Sequence, residues 1–220
     1  MLKNKIICLI ITMISILSFN CIYAQNEEFS LLGKVIYIDP GHGGTDPGAI
    51  YKDIYESNIN LSISKKLYNL LVSKGAIVYL TRNGNYDLSV TNAVNRKRSD
   101  LSRRANIINR SNCDMYISIH LNAESTGIWR GAQVFYDDVN DKNEEIAKIM
   151  QEELSKTLNT NRKYKETNEM YLHKRVERPG VLIEVGFLSN ANERYLLTKD
   201  YYQDRIVTTI TNGVTRYFNN

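Results

Sequence analysis

The chain has 220 residues, with 28 Lys and Arg against 24 Asp and Glu, a formal charge of +4. Lys3 and Lys5 lie in the first two dozen residues, so the remainder carries +2, too little to argue for a nucleic-acid partner. Cys8 and Cys21 share that N-terminal stretch, which leaves Cys113 without an internal disulfide partner and makes the fold depend on its core alone.

The N-terminus is read first as a leader. Lys3 and Lys5 precede an uncharged apolar run from Ile6 to Phe19, and Ile22-Tyr23-Ala24 suits cleavage after Ala24. Residues 1–24 are therefore expected to be a signal peptide or, if uncleaved, an N-terminal membrane anchor. Either way the rest of the chain is exported, and the membrane is a partner only through that leader. Residues 25–220 have the length of one domain with a full core.

Strand and helix signals then alternate. Lys34–Asp39 reads as a buried strand that stops at Pro40-Gly41-His42-Gly43-Gly44. Glu56 to Ser73 reads as a helix, with Ile59, Ile63, Leu67, Leu70 and Leu71 on one face. Ala76–Thr81 is a second strand. Asn83 to Ser99 is polar and without period, as expected of a mobile surface loop. Asp100–Arg110 is a helix and Met115–His120 a strand. Gly131–Tyr136 is a strand and Asp141–Leu158 an amphipathic helix. Asn159–Glu177 is poorly patterned, Gly180–Val185 is a buried strand, and Glu193–Phe218 closes the chain as one or two helices. This order predicts an α/β fold: a mostly parallel, twisted sheet of about six strands with helices on both faces.

Four chemistry-bearing residues fall at element ends on what is expected to be one rim. His42 follows the first strand, Glu56 opens the first helix, His120 ends a strand, and Glu184 lies within Val-Leu-Ile-Glu-Val. Two imidazoles and a carboxylate form a zinc set with a coordination position to spare. A second carboxylate there suits proton transfer. Glu184 is the hardest to assign to structure alone, because a charge in an apolar strand is costly unless paired or employed. By spacing these residues are suggestive only. His42 also suits local hydrogen bonding in a glycine turn, and Glu56 suits a helix N-terminus.

Five blocks go further. They are Ile38 to Ala49 followed by Glu56; Leu80-Thr81-Arg82; Leu101 to Asn106; Ser118 to Ala123; and Pro179 to Asn190. In this order they resemble the zinc-dependent N-acetylmuramoyl-L-alanine amidases of the amidase-3 type. The resemblance implies one Zn2+ per chain on His42, Glu56 and His120, with Glu184 as the catalytic carboxylate. The implied substrate is the peptidoglycan amide between N-acetylmuramic acid and L-alanine. The short single-domain form resembles the spore-cortex and germination amidases, which implies a role in muramic-lactam formation on the cortex side of the envelope. Leu121 departs from the small residue common in that family, and Asn83–Ser99 is elongated.

Supporting roles follow with alternatives. Arg82 and Arg103 are expected either to hold carboxylates of the peptide stem or to form structural ion pairs. Asn122 either bonds substrate or shapes its turn. His173 is a substitute ligand, a groove residue or a surface histidine. Cys113 is expected to pack as a small apolar residue. No wall-binding repeat is visible, so an activating or recruiting protein is expected. Three rivals differ in testable ways. A nucleotide-binding domain fails because Asp46 stands where a third glycine would be needed. A zinc peptidase or deacetylase would leave different wall fragments, and a silent wall-binding module would lack the four residues.

Overall fold

The computed structural model describes residues 29–220 together with Met13. The leader read over residues 1–24 otherwise lies outside the described residues. Among the described residues no helix is long and apolar enough to cross a membrane.

The strands are β1 (Val35–Pro40), β2 (Ile50–Tyr51), β3 (Ile54–Tyr55), β4 (Ile77–Leu80), β5 (Met115–Asn122), β6 (Gln133–Tyr136), β7 (Lys165–Glu166) and β8 (Gly180–Phe187). The helices are α1 (Glu56–Ser73), α2 (Arg96–Arg110), α3 (Asn143–Leu158), α4 (Ala191–Leu197) and α5 (Asp200–Asn219). Six strands form one sheet in the order β4-β1-β5-β8-β6-β7, and β2 and β3 form a separate small hairpin. Every neighbouring pair in the large sheet is parallel except β6 against β8.

Strand alternation assigns the two faces. Ile36 and Ile38 of β1, Ile117 and Ile119 of β5, and Val181, Ile183 and Val185 of β8 are buried in one apolar cluster. Helices α1, α3 and α5 supply its other half through Ile63, Leu67, Met150, Leu154, Ile206 and Ile210. Burying each such side chain contributes about 1.5–3 kcal/mol. The alternate residues line up on the opposite face. Tyr37 pairs with Tyr116 and Tyr116 with Gly180; Asp39 pairs with Ser118 and Ser118 with Leu182; His120 pairs with Glu184. A smaller cluster covers only part of this second face: Ala105 and Ile108 of α2 packed with Tyr116, Leu172, Val176 and the buried thiol of Cys113.

The structure alters three sequence expectations. Helix α2 starts four residues earlier than its apolar period suggests. Asn95 caps it by accepting from the Arg98 amide at 2.9 Å. The run Arg96-Lys97-Arg98 masked that start, because cations are unfavourable at a helix N-terminus. The segment before it is knitted down: Leu88 N–H donates to Asp100, Val90 N–H to Ser99, and Asp87 receives Arg96 and Thr45. Finally, the polar stretch after α3 contributes β7 to the sheet edge and a short 3-10 turn at His173–Arg175.

Candidate metal centre

Parallel strands bring the ends of β1, β5 and β8 to one rim, and α1 begins beside them. One nitrogen of His42, one of His120 and a carboxylate oxygen of Glu56 lie within 4.8 Å of one another. Glu56 Oε1 is 3.1 Å from His42 Nε2 and 3.1 Å from His120 Nδ1.

Backbone geometry makes this approach feasible. Gly41 lies directly under His120: a Cβ there would come within 2.2 Å of the imidazole. Gly48 has φ +69°, and a Cβ there would meet Glu56 Oε2 at 2.5 Å. Both positions therefore need glycine. His42 itself adopts φ 61°, a conformation rare outside glycine that turns its ring toward the centre.

Glu56 is held from several sides. Oε2 accepts from the Ala49 amide at 2.8 Å, and Oε1 from the Leu121 amide at 3.1 Å and from Asn60 at 3.2 Å. Leu121 therefore contributes through its backbone, while its side chain sits in the apolar core. On His42, Nδ1 lies 2.9 Å from Asp46 Oδ2, which leaves Nε2 facing the centre. A carboxylate behind a ligating imidazole fixes its orientation and raises its basicity.

The electrostatics agree with this arrangement. Burial alone would raise Glu56, but hydrogen bonds from His120 and His42 hold it well below the usual carboxylate range. Burial opposes protonation of His42, yet Asp46 and Glu56 raise its pKa to about 9. Burial lowers that of His120. Glu184, across the strand pair from His120, is pushed up to about 8 by burial and then by the Glu56 charge. Its Oε2 is buried without a hydrogen-bond partner among the described residues. Such an atom is costly unless something beyond the protein's own groups engages it. Two imidazole nitrogens, one carboxylate oxygen and an adjacent orphan carboxyl fit a divalent cation with an open position.

Beneath the rim lies an ionic layer only partly anticipated. Arg104, 1% exposed, pairs with Asp39 and Asp100, each at 2.9 Å. It also donates to the Pro40 and His42 carbonyls, both at 2.7 Å. Arg82 donates to the carbonyls of Pro40, Gly41, Ser57 and Gly84. Among the described residues Arg82 makes no side-chain ion pair within 4.0 Å, and its hydrogen bonds tie the His42 loop to the sheet. Arg103 is exposed on α2 and does not line the cavity beside His42 and His120, so the buried role belongs to its neighbour. Asn122 is half-buried at the end of β5, and its carbonyl accepts from the Leu188 amide. The surface reading of His173 is also overturned: it is 0% exposed, with Nδ1 3.1 Å from Asp137 Oδ2.

A signal for Arg104 was present in the sequence. Asp100 and Arg104 stand four apart on the helix face that carries Ala105 and Ile108, so a buried pair was readable there. Asp39 and Ser118 alternate with isoleucines in the same way.

Comparisons with known proteins agree with the geometry. Residues 36–216 match the Amidase_3 model, described as N-acetylmuramoyl-L-alanine amidase. The germination-specific N-acetylmuramoyl-L-alanine amidase of Bacillus subtilis (strain 168) is 44% identical over 86% of this chain and 81% of its own length. The CwlD amidase of Clostridioides difficile, solved in complex with the GerS lipoprotein, is 40% identical with TM-score 0.81, over 85% of this chain and 99% of that one. An N-acetylmuramoyl-L-alanine amidase from Clostridium difficile 630 is 32% identical with TM-score 0.76, over 85% of this chain and 97% of that one. A family match across nearly the whole described chain, on a fold shared with solved amidases, leads to one conclusion: this chain belongs to the Amidase_3 family of N-acetylmuramoyl-L-alanine amidases.

Proposed function

We propose that the chain hydrolyses the amide between the lactyl group of N-acetylmuramic acid and L-alanine in peptidoglycan, using one zinc ion held by His42, Glu56 and His120. The observation that carries this reading is the convergence of the three donor atoms within 4.8 Å, with the unpartnered Glu184 Oε2 beside them. Zinc bound there would supply Lewis acidity to the scissile carbonyl and increase the acidity of water.

The residues divide the remaining work. Asp46 keeps the His42 ring aimed, and the Ala49 and Leu121 amides keep the Glu56 carboxylate from rotating. Glu184 Oε2 takes the proton of the attacking water and returns it to the alanine nitrogen as the amide bond breaks. Its raised pKa suits both halves of that transfer, because a group near neutrality accepts and releases a proton readily. Arg82 and Arg104 hold the loop that carries His42 and do not touch substrate.

The biological setting in this reading is outside the membrane. Residues 1–24 export the chain, or anchor it if retained, and residues 25–220 form the catalytic domain. Likeness to a germination-specific amidase supports work on spore-cortex peptidoglycan. The complex of the CwlD amidase with a lipoprotein supports an activating or recruiting protein for this chain as well. The test is digestion of defined muropeptides by zinc-loaded protein, followed by mass analysis. New free L-alanine amino termini are expected. Cleavage within the peptide, or loss of acetyl groups instead, would assign a different hydrolase.

A further inference from the structure

A cavity of about 370 Å³ runs from the metal centre along the polar face of the sheet. His42, His120 and Glu184 line one part of it; Leu101, Leu182 and Leu172 form apolar walls; Lys97 and His173 also line it. His173 takes no part in the chemistry described above. Its Nδ1 faces Asp137 at 3.1 Å and the Tyr116 hydroxyl at 3.4 Å. Asp137 is itself fixed, because its Oδ1 accepts from the Val139 amide at 2.8 Å and from Asn143 at 3.2 Å. The two ring nitrogens point in divergent directions, so Nε2 is turned away from Asp137. It is buried and has no hydrogen-bond partner among the described residues. Leaving such an atom unpaired is unfavourable, and a ligand group would relieve it.

The segment above it is fastened to α2. The Tyr171 hydroxyl lies 3.1 Å from Arg98 Nε and 3.0 Å from Ser102 Oγ, and the Arg175 guanidinium stands 3.5 Å from the Tyr171 ring centre. This strap holds His173 in place against Tyr116.

We propose that His173 is a specificity-determining residue: with Lys97 it binds a carboxylate of the peptide stem in the arm of the groove beyond the metal centre. The proposal rests on the amidase reading, which supplies a substrate with a peptide on one side of the cleaved bond. With Asp137 at Nδ1, the free Nε2 is the ring position left to meet the stem carboxylate, and the Lys97 ammonium adds a second donor to the incoming anion. Asp39 and Asp100, on the same wall, share the Arg104 guanidinium with the Arg82 charge close by, and Asp46 is paired with His42. Glu169 is exposed at the rim. The carboxylate-holding role considered for Arg82 and Arg103 thus passes to two residues that line the groove.

The experiment compares three substrates with wild type, His173→Gln and Lys97→Gln, all zinc-loaded. They are N-acetylmuramoyl-L-alanine alone, a muropeptide whose next residue has a free carboxylate, and the same muropeptide with that group as carboxamide. Each variant is expected to raise KM for the carboxylate substrate about tenfold or more, with kcat nearly unchanged. The carboxamide and short substrates should change little. An equal loss on all three substrates would assign His173 a purely structural role and overturn the proposal, as would unchanged KM values. If His173→Gln fails to fold, the exposed Lys97→Gln must still show the carboxylate-selective rise, or the proposal falls. Failure of wild type to cleave even the short substrate would overturn the amidase reading instead.

Discussion

The two faces of the sheet are made by the same strands, yet they do different work. On one face, Ile36, Ile38, Ile117, Ile119, Val181 and Ile183 meet three helices and form an apolar core. On the other, Asp39, Ser118, His120 and Glu184 stand at alternate positions, with far less cover. The first face needs only apolar side chains of suitable volume, and many would serve. The second needs particular groups at particular distances, each with its hydrogen bonds satisfied or deliberately left open. Strand alternation lets one segment such as Ile-Ser-Ile-His contribute to both without conflict.

That contrast can be broken most sharply at neighbouring residues of β8. Glu184→Gln changes the polar face alone. It should reduce turnover by about 10²-fold or more while metal analysis still finds one zinc per chain. Its neighbour Ile183→Ala should do the reverse. Stability should fall by about 2–5 kcal/mol in chemical denaturation, with turnover per folded molecule near wild type.

Arg104 tests whether the polar face also supports structure. Replacing it with Met leaves Asp39 and Asp100 buried without their cation and frees the His42 carbonyl. A loss of about 3–5 kcal/mol is expected, accompanied by weaker zinc binding in a metal titration. Unchanged stability would show that the ionic layer is not needed to hold the loop.

The smallest effect sharpens the comparison through pH. In metal-free protein, Glu184 is raised from 4.5 to about 8, so the folded state retains a proton that the unfolded state has lost. Its contribution is present at low pH and disappears as pH rises through about 8. His42, raised from 6.5 to about 9, acts in the same direction, its contribution fading as pH rises through about 9. Asp46, lowered from 3.8 to about 2, acts oppositely and loses its contribution as pH falls toward 2. Metal-free protein should therefore lose stability between about pH 4.5 and 9. Glu184→Gln should shallow that decline by at least about 1.4 kcal/mol, the equivalent of one pKa unit. Melting curves of metal-free protein across this range would show it, and parallel curves for both proteins would refute the burial argument.

The limits of sequence reading follow from the same physics. The four residues that meet at the rim, His42, Glu56, His120 and Glu184, stood out in the sequence because two of them have unusual neighbours: a glycine-rich exit at His42 and an apolar run around Glu184. Arg103 and Arg104 were harder to separate, since adjacent residues of one helix differ only in which way they face. The 83–95 loop looked mobile because its order comes from hydrogen bonds to Thr45 and Asp100, partners that no local pattern reveals.

By itself, the sequence determined the alternation of strands and helices, the apolar face and the types of donor available, because these depend on residue character and period along the chain. Only the tertiary structure decided that Arg82 supports the loop, that Arg104 rather than Arg103 is buried, and that His173 lines the groove against Asp137. Those facts depend on contacts between segments 36 to 65 residues apart. Such contacts are set by how the elements pack, which local periodicity does not encode.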